Sequence, residues 1–137
     1  TIYQKLVDRN PLHQYRKEYS SVLSSLGVLL REEAIYKSRS DFTKSIEFMI
    51  PAQERFQKAL TIDRQLVKEA PTINNREKLA IALYHCGLVA VDNKESASYL
   101  KEALAIVEKL IDETKDKNFN PLYKSIRSVM RRRFIRW

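Results

Sequence analysis

The chain has 137 residues, 44% of them hydrophobic, and its 25 Lys and Arg against 17 Asp and Glu give a formal net charge of +8. This content supports one packed domain, whereas two glycines exclude a Gly-rich phosphate-binding loop and argue against all-β and α/β nucleotide folds. A single cysteine excludes an internal disulfide and a cysteine-based zinc site. No apolar run is long enough to span a membrane, and no signal peptide is visible. We therefore predict an all-α, cytoplasmic domain.

Apolar residues recur at helical spacing along most of the chain. The predicted helices are a remnant at 1–9, then about 13–36, 51–70, 75–91, 94–115 and 121–136. Ser40 and Asp41 are alternative N-caps of a short inserted helix across 41–49. Asn120 and Pro121 predict the start of the last helix, with asparagine as N-cap and proline as its first residue.

Two stretches of the chain repeat each other without a gap. Residues 2–30 align with residues 62–90, so that Pro11 pairs with Pro71 at an offset of 60 residues. The same alignment pairs Gly27 with Gly87, the only two glycines. A glycine inside a helix costs about 1 kcal/mol relative to alanine. A repeated helical glycine therefore predicts a close approach by the second helix of each hairpin.

A second register aligns residues 51–60 with residues 95–104 and pairs Phe56 with Leu100. Together the two registers resemble the tetratricopeptide repeat (TPR). The first copy reads Leu23-x-x-Leu26-Gly27-x-x-Leu30, then Ala52-x-x-x-Phe56-x-x-Ala59, and the second reads Leu83-x-x-Cys86-Gly87-x-x-Ala90, then Ser96-x-x-x-Leu100-x-x-Ala103. The long second helix that Pro71 closes is similar to the repeats of kinesin light chains and of bacterial signalling proteins.

The resemblance implies an α-solenoid of antiparallel helical hairpins. Its repeat units would be about 13–71 and 75–115, followed by a C-terminal capping helix at about 121–136. The first unit departs from the family pattern by about 13 extra residues between its helices, where we expect Phe42, Phe48 and Met49 to dock back onto the hairpin. Because the chain starts mid-pattern without methionine, we expect a C-terminal fragment of a longer protein.

In TPR arrays the first helix of each unit lines the concave surface, which implies a set of partner-binding residues. They are Ser21, Ser24, Val28 and Arg31 in the first unit, and Ile81, Tyr84, Leu88 and Val91 in the second. Chaperone-binding TPR domains carry a Lys/Asn/Arg carboxylate clamp on this face, and the corresponding places here do not hold those residues. The mildly apolar face favours an amphipathic helix or an extended peptide. Alternatively, a neighbouring helix of the same protein covers it.

The last predicted helix holds most of the net charge, with an apolar side opposite a basic one. The basic patch comprises Lys124, Arg127, Arg131, Arg132 and Arg136. It is either the solvated face of a cap, which we favour, or a site for an acidic protein, nucleic acid or an anionic membrane. Only Trp137 accompanies the arginines as a base-stacking platform, which disfavours nucleic acid. As a solvated face, Arg131, Arg132 and Arg133 should together contribute no more than about 1 kcal/mol to stability.

No combination of residues supports catalysis, a metal or a cofactor. His13 and His85 lie on different helices, and the neighbouring carboxylates Glu32 and Glu33 diverge on a helix. Cys86 is expected to be a buried apolar residue. We therefore predict a non-enzymatic protein–protein interaction module. A regulatory or sensor domain of a larger multidomain protein and a nucleic-acid-binding domain remain alternatives.

The start of the chain predicts self-association. Ile2, Leu6 and Val7 form an apolar side that we expect to pack on the first long helix. A repeat unit does not bury its apolar faces alone, so the open end of the array favours contact with another copy.

Overall fold

A computed structural model shows an all-helical chain and describes residues 11–39 and 44–134, which contain no β-strand. Within these residues five α-helices follow one another, with a short 3₁₀ turn at Lys117–Phe119 before the last. They are α1 (Pro11–Ser38), α2 (Ser45–Glu69), α3 (Ile73–Val89), α4 (Asn93–Thr114) and α5 (Asn120–Arg133). These bounds confirm five of the predicted helices to within a few residues, except that α2 starts earlier. The helix predicted at 1–9, with Ile2, Leu6 and Val7, lies outside the described residues.

Short capped connections join α2, α3 and α4. Thr72 caps α3, because its Oγ1 accepts a hydrogen bond of 3.1 Å from the Asn75 backbone N–H. Asp92 caps α4 in the same way, with its Oδ1 3.0 Å from the Lys94 backbone nitrogen. These side chains satisfy N–H groups that have no partner within the helix. Connections this short favour antiparallel packing of neighbouring helices.

The separate helix predicted across 41–49 was wrong, because the structure joins its second half to the following helix as the start of α2. Pro51 lies inside this helix and has no N–H, so the Glu47 carbonyl lacks its intrahelical donor. Met49 packs against the core, as expected of the insert. The proposed caps, Ser40 and Asp41, and the aromatic Phe42 lie outside the described residues.

The start of the last helix also differs from the prediction. Asn120 is the first residue of α5 rather than its N-cap. The capping side chain belongs to Asp116, whose Oδ1 accepts a hydrogen bond of 2.9 Å from the Asn118 backbone N–H. The 3₁₀ turn, whose last residue Phe119 is buried, then runs directly into α5. The helical path therefore starts three residues before the Asn-Pro pair that the sequence suggested.

The helices pack in chain order: α1 on α2, α2 on α3, α3 on α4, and α4 on α5. Both glycines lie within helices at close crossings, which confirms the prediction. A Cβ on Gly27 would lie 2.5 Å from the ring of Phe56, and a Cβ on Gly87 would lie 2.7 Å from the side chain of Leu100. Phe56 and Leu100 are the residues that the second register pairs, and both are fully buried.

The hairpin of α1 and α2 contains a buried polar pair. Ser20 Oγ donates a hydrogen bond of 2.5 Å to Asp63 Oδ1. In the second hairpin the equivalent positions hold Ala80 and Val107, which are equally buried. Burial raises the pKa of Asp63 to about 6, although the hydrogen bond from Ser20 and the charge of Lys78 lower it in part.

Replacing Gly27 with alanine should destabilise the chain. The new Cβ would meet three atoms of the Phe56 ring within 3.0 Å, and a fully buried ring has no space into which to move. We expect the free energy of unfolding to fall by about 1–3 kcal/mol, despite alanine's higher helix propensity. The exposed Ser25→Ala on the same helix is the matched control and should be neutral or slightly stabilising. Equal urea midpoints for the two variants would contradict the close crossing.

The raised pKa of Asp63 predicts a specific pH dependence of stability. The pKa of Asp63 is higher in the folded chain than in the unfolded chain. Its favourable contribution to the free energy of unfolding is therefore complete below about pH 4 and is lost as the pH rises to about 6. Asp63→Asn should therefore gain stability relative to the wild type across this interval, by on the order of 2–3 kcal/mol. Urea unfolding at several pH values gives the difference. A difference that does not change between pH 4 and pH 7 would refute the prediction.

Candidate interaction surfaces

Large apolar side chains form an exposed row along α1. Tyr15, Tyr19, Val22, Leu26 and Leu29, here called the α1 stripe, recur at spacings of four and three residues and are each 38–64% exposed. This spacing is that of the seam with which one helix packs on another. Leu26 belongs to the repeat motif with Leu23, but Leu23 is buried and Leu26 is 38% exposed.

The repeat offset gives every residue of the α1 stripe a counterpart on α3. The counterparts are Asn75, Leu79, Ala82, Cys86 and Val89, each no more than 7% exposed. The helix α2 covers this face of α3, and polar contacts hold it at both ends. Gln53 Nε2 donates to the Val89 carbonyl at 2.6 Å, and Asn75 Nδ2 donates to the Ala70 carbonyl at 2.9 Å.

The α1 stripe is thus exposed because no second helix covers it in the described parts of the chain. Leu26 and Cys86 illustrate the difference, since they occupy equivalent positions and are 38% and 1% exposed. The burial of Cys86 confirms its predicted core position, and burial raises the pKa of its thiol to about 12.

Seven of the eight predicted groove residues lie on α1 and α3. Ser21 ties the two helices together, because its Oγ accepts a hydrogen bond of 2.7 Å from Lys78 Nζ, which also donates to the Lys17 carbonyl. The other predicted residues on these helices are all half-buried: Ser24, Val28, Arg31, Ile81, Tyr84 and Leu88.

Val91 lies away from the other predicted groove residues. The sequence placed it at the end of a helix, but α3 ends at Val89. Val91 is 57% exposed in the connection to α4. There it lines a separate groove of about 510 Å³ with Gln57 and Glu95. It therefore does not share a surface with Tyr84 and Leu88.

Arg133 joins the end of α5 to the end of α3. Its Nη1 donates to the Gly87 carbonyl at 2.8 Å and to Ser96 Oγ at 3.1 Å, and its Nη2 donates to the Leu88 carbonyl at 2.6 Å. The last carbonyls of a helix lack intrahelical partners and carry partial negative charge, which a cation stabilises. This role is not visible in the sequence, because nothing in a run of three arginines distinguishes the last one.

Arg31 and His85 lie close to Arg133. Partial burial, the charge of Arg31 and the charge of Arg132 lower the pKa of Arg133. Burial lowers the pKa of His85 to about 4, with a further contribution from the charge of Arg31. The His85 ring lies 4.7 Å from that of Phe56 and 5.9 Å from that of Tyr84.

Two buried nitrogen atoms in this region lack a hydrogen-bond partner. They are Nε of Arg31 and Nδ1 of His85. Within the described residues, Arg31 also forms no ion pair. We call Arg31, Tyr84, His85 and Arg133 the junction cluster, since it lies where α1, α3 and α5 meet.

The predicted basic patch lies on the outer side of α5. A shallow groove of about 300 Å³ is lined by Tyr123, Lys124, Arg127, Ser128, Arg131 and Arg132. None of its four cations forms an ion pair with an acid in residues 11–39 and 44–134. Arg136 lies outside the described residues. On the opposite side, Ile126, Val129 and Met130 are buried in the core, which confirms the predicted apolar face.

Comparison with models of known protein families, with curated proteins and with solved structures found no match. Across the described helices, none combines the length and apolarity needed to cross a membrane. The same residues contain no group of three or more His, Cys, Asp or Glu side chains suited to a metal ion.

The contacts of Arg133 predict that it is not equivalent to its neighbours, contrary to the expectation for the three arginines together. Arg133→Gln loses charge-assisted hydrogen bonds to the end of α3 and should lower the free energy of unfolding by about 1–2 kcal/mol. Arg132→Gln, which removes the adjacent charge, should stay within about 0.5 kcal/mol of the wild type. Thermal unfolding followed by circular dichroism compares them. Identical melting temperatures of the two variants would mean that the contacts of Arg133 with α3 do not stabilise the fold.

Proposed function

We propose that this chain is a non-enzymatic protein–protein interaction module, built as a TPR-type α-solenoid, which binds an amphipathic helix of a partner protein along the α1 stripe. The observation that carries the proposal is the difference between two equivalent faces. The face on α3 is buried under α2, and the face on α1 is exposed.

The packing of the helices supports the solenoid. Each helix packs on the next in chain order. The two hairpins repeat the same close contact, of Gly27 with Phe56 and of Gly87 with Leu100. Stacked units of this kind bury the face of one unit against the next, and no helix of the described residues covers the α1 stripe.

Side-chain size and charge around the α1 stripe define the partner helix. The stripe holds Tyr15, Tyr19 and Val22 where α3 holds an asparagine, a leucine and an alanine, so a helix that covers α1 must offer smaller side chains than α2 does. The exposed carboxylates of Glu18 and Glu32 border one edge of the stripe. Basic residues beside the seam of the partner helix would complement them.

A designed peptide tests this surface. The probe is a fluorescently labelled helix with alanine and leucine alternating in its seam and lysines along one edge. We expect it to bind the wild-type chain with a Kd on the order of micromolar, and the double variant Leu26→Glu/Leu29→Glu to weaken binding by at least about tenfold, because both substitutions place charge in the seam. Fluorescence anisotropy measures both affinities.

The matched control is Ile46→Glu/Ile73→Glu, which adds the same charge at exposed apolar positions outside the stripe and should leave affinity unchanged. Equal loss of binding in both double variants would contradict a site on α1. Beside the helix predicted at 1–9, a second copy of the chain is a competing occupant of the stripe, and sedimentation of the free chain tests for it. A dimer that the Leu26→Glu/Leu29→Glu variant abolishes and the peptide does not displace would assign the stripe to self-association instead.

Two other surfaces, the predicted groove on α1 and α3 and the outer groove of α5, could bind further partners without affecting helix binding at the α1 stripe. Arg31 and Tyr84, two predicted groove residues, belong to the junction cluster. The outer groove of α5, with Lys124 and Arg127, is the surface that a nucleic acid or another polyanion would use. A regulatory role within a larger protein is compatible with any of these surfaces.

A further inference from the structure

The junction cluster lies on a different face of α1 from the α1 stripe. Arg31 follows Gly27 by one helical turn and therefore shares the face that packs on Phe56. The stripe and the cluster can consequently be occupied or mutated independently of each other.

The cluster has an excess of unused hydrogen-bond donors. A guanidinium group has five N–H bonds. Arg133 uses three of them on Gly87, Leu88 and Ser96, which leaves two. Arg31 uses none on the described residues, and its buried Nε has no partner. A buried donor without a partner loses its hydration without compensation, so the site is incomplete as the described residues form it.

The charges of the cluster are also unbalanced. Arg31 and Arg133 come from helices far apart in sequence, and the charge of Arg132 also acts on Arg133. No ion pair links these arginines to an acid in the described residues. His85 is the only other titratable base in the cluster, and its low pKa keeps the ring uncharged near neutral pH. Its buried Nδ1 is then available as a neutral donor or acceptor.

We propose that the junction cluster binds a phosphate monoester dianion, held by the guanidinium groups of Arg31 and Arg133 and by the imidazole of His85. Arginine forms paired hydrogen bonds with phosphate oxygens. A dianion balances two fixed positive charges, whereas a single carboxylate balances one. Arg133 is already positioned by the end of α3, so part of the site exists before the ligand binds.

Histidine ring resonances report directly on this site. The chain has two histidines, and His13 lies at the other end of α1 beside Glu69. In a titration with inorganic phosphate at pH 7 and constant ionic strength, the His85 resonances should shift in a saturable manner, with a Kd on the order of millimolar. The His13 resonances should not shift. Acetate at the same concentrations should give a markedly weaker effect.

Variants separate the cluster from other basic surfaces. Arg31→Gln should weaken phosphate binding by at least about tenfold, and Arg31→Lys, which keeps the charge without the paired donors, should be intermediate. Arg127→Gln removes a cation from the outer groove of α5 and should bind as the wild type does. Circular dichroism establishes that each variant is folded, which we expect because Arg31 makes no hydrogen bond in the described structure.

A phosphoserine peptide and a small phosphate monoester distinguish the two sources of the phosphate group. Binding of the peptide at least about tenfold tighter than the small ester assigns the site to a phosphorylated protein, and equal affinities assign it to a metabolite. The proposal is overturned if His85 shows no saturable shift, if Arg31→Gln binds as tightly as the wild type, or if acetate matches phosphate. None of these results bears on helix binding at the α1 stripe.

Discussion

The contact between Gly27 and Phe56 is the one on which most of the described structure depends. The absent side chain of Gly27 gives the Phe56 ring its place between α1 and α2. That ring also stacks on His85, with the ring centroids 4.7 Å apart, which holds α3 against the first hairpin and positions one member of the junction cluster. A single small residue thus sets the spacing of three helices, since packed interiors leave no room for an added methyl group.

The second hairpin repeats this contact with Gly87 and Leu100, and the differences between the two hairpins are informative. The positions of Ser20 and Asp63 are occupied in the second hairpin by Ala80 and Val107. Only the first hairpin therefore has a buried carboxyl group at this pair of positions. The α1 stripe is exposed where its counterpart on α3 is buried. The first difference lies in the residues that α1 and α2 both contribute, and the second arises because no helix of the described residues covers the α1 stripe.

Periodicity and repeat alignment predicted the helices and the glycine crossings, because both follow from local spacing. They did not predict the exposure of Leu26, which depends on a neighbouring helix rather than on the residue itself. Arg133 was missed for a related reason. Its three acceptors lie on α3 and α4, and its neighbours in sequence are also arginines. The start of α5 was misplaced because Asp116 competes with Asn120 as a cap, and only the three-dimensional path decides between them.

Hydrogen exchange of backbone amides tests most directly whether α1 and α3 differ in how they are covered. In the free chain we expect faster exchange in α1 than in α3, because the α1 stripe is exposed where its counterpart on α3 is buried. A helix bound along the α1 stripe should slow exchange in α1 toward the rate of α3 and leave α3 unchanged. Equal protection of α1 and α3 in the free chain, or protection that rises in α3 instead of α1, would contradict the central claim that no helix of the described residues covers the α1 stripe.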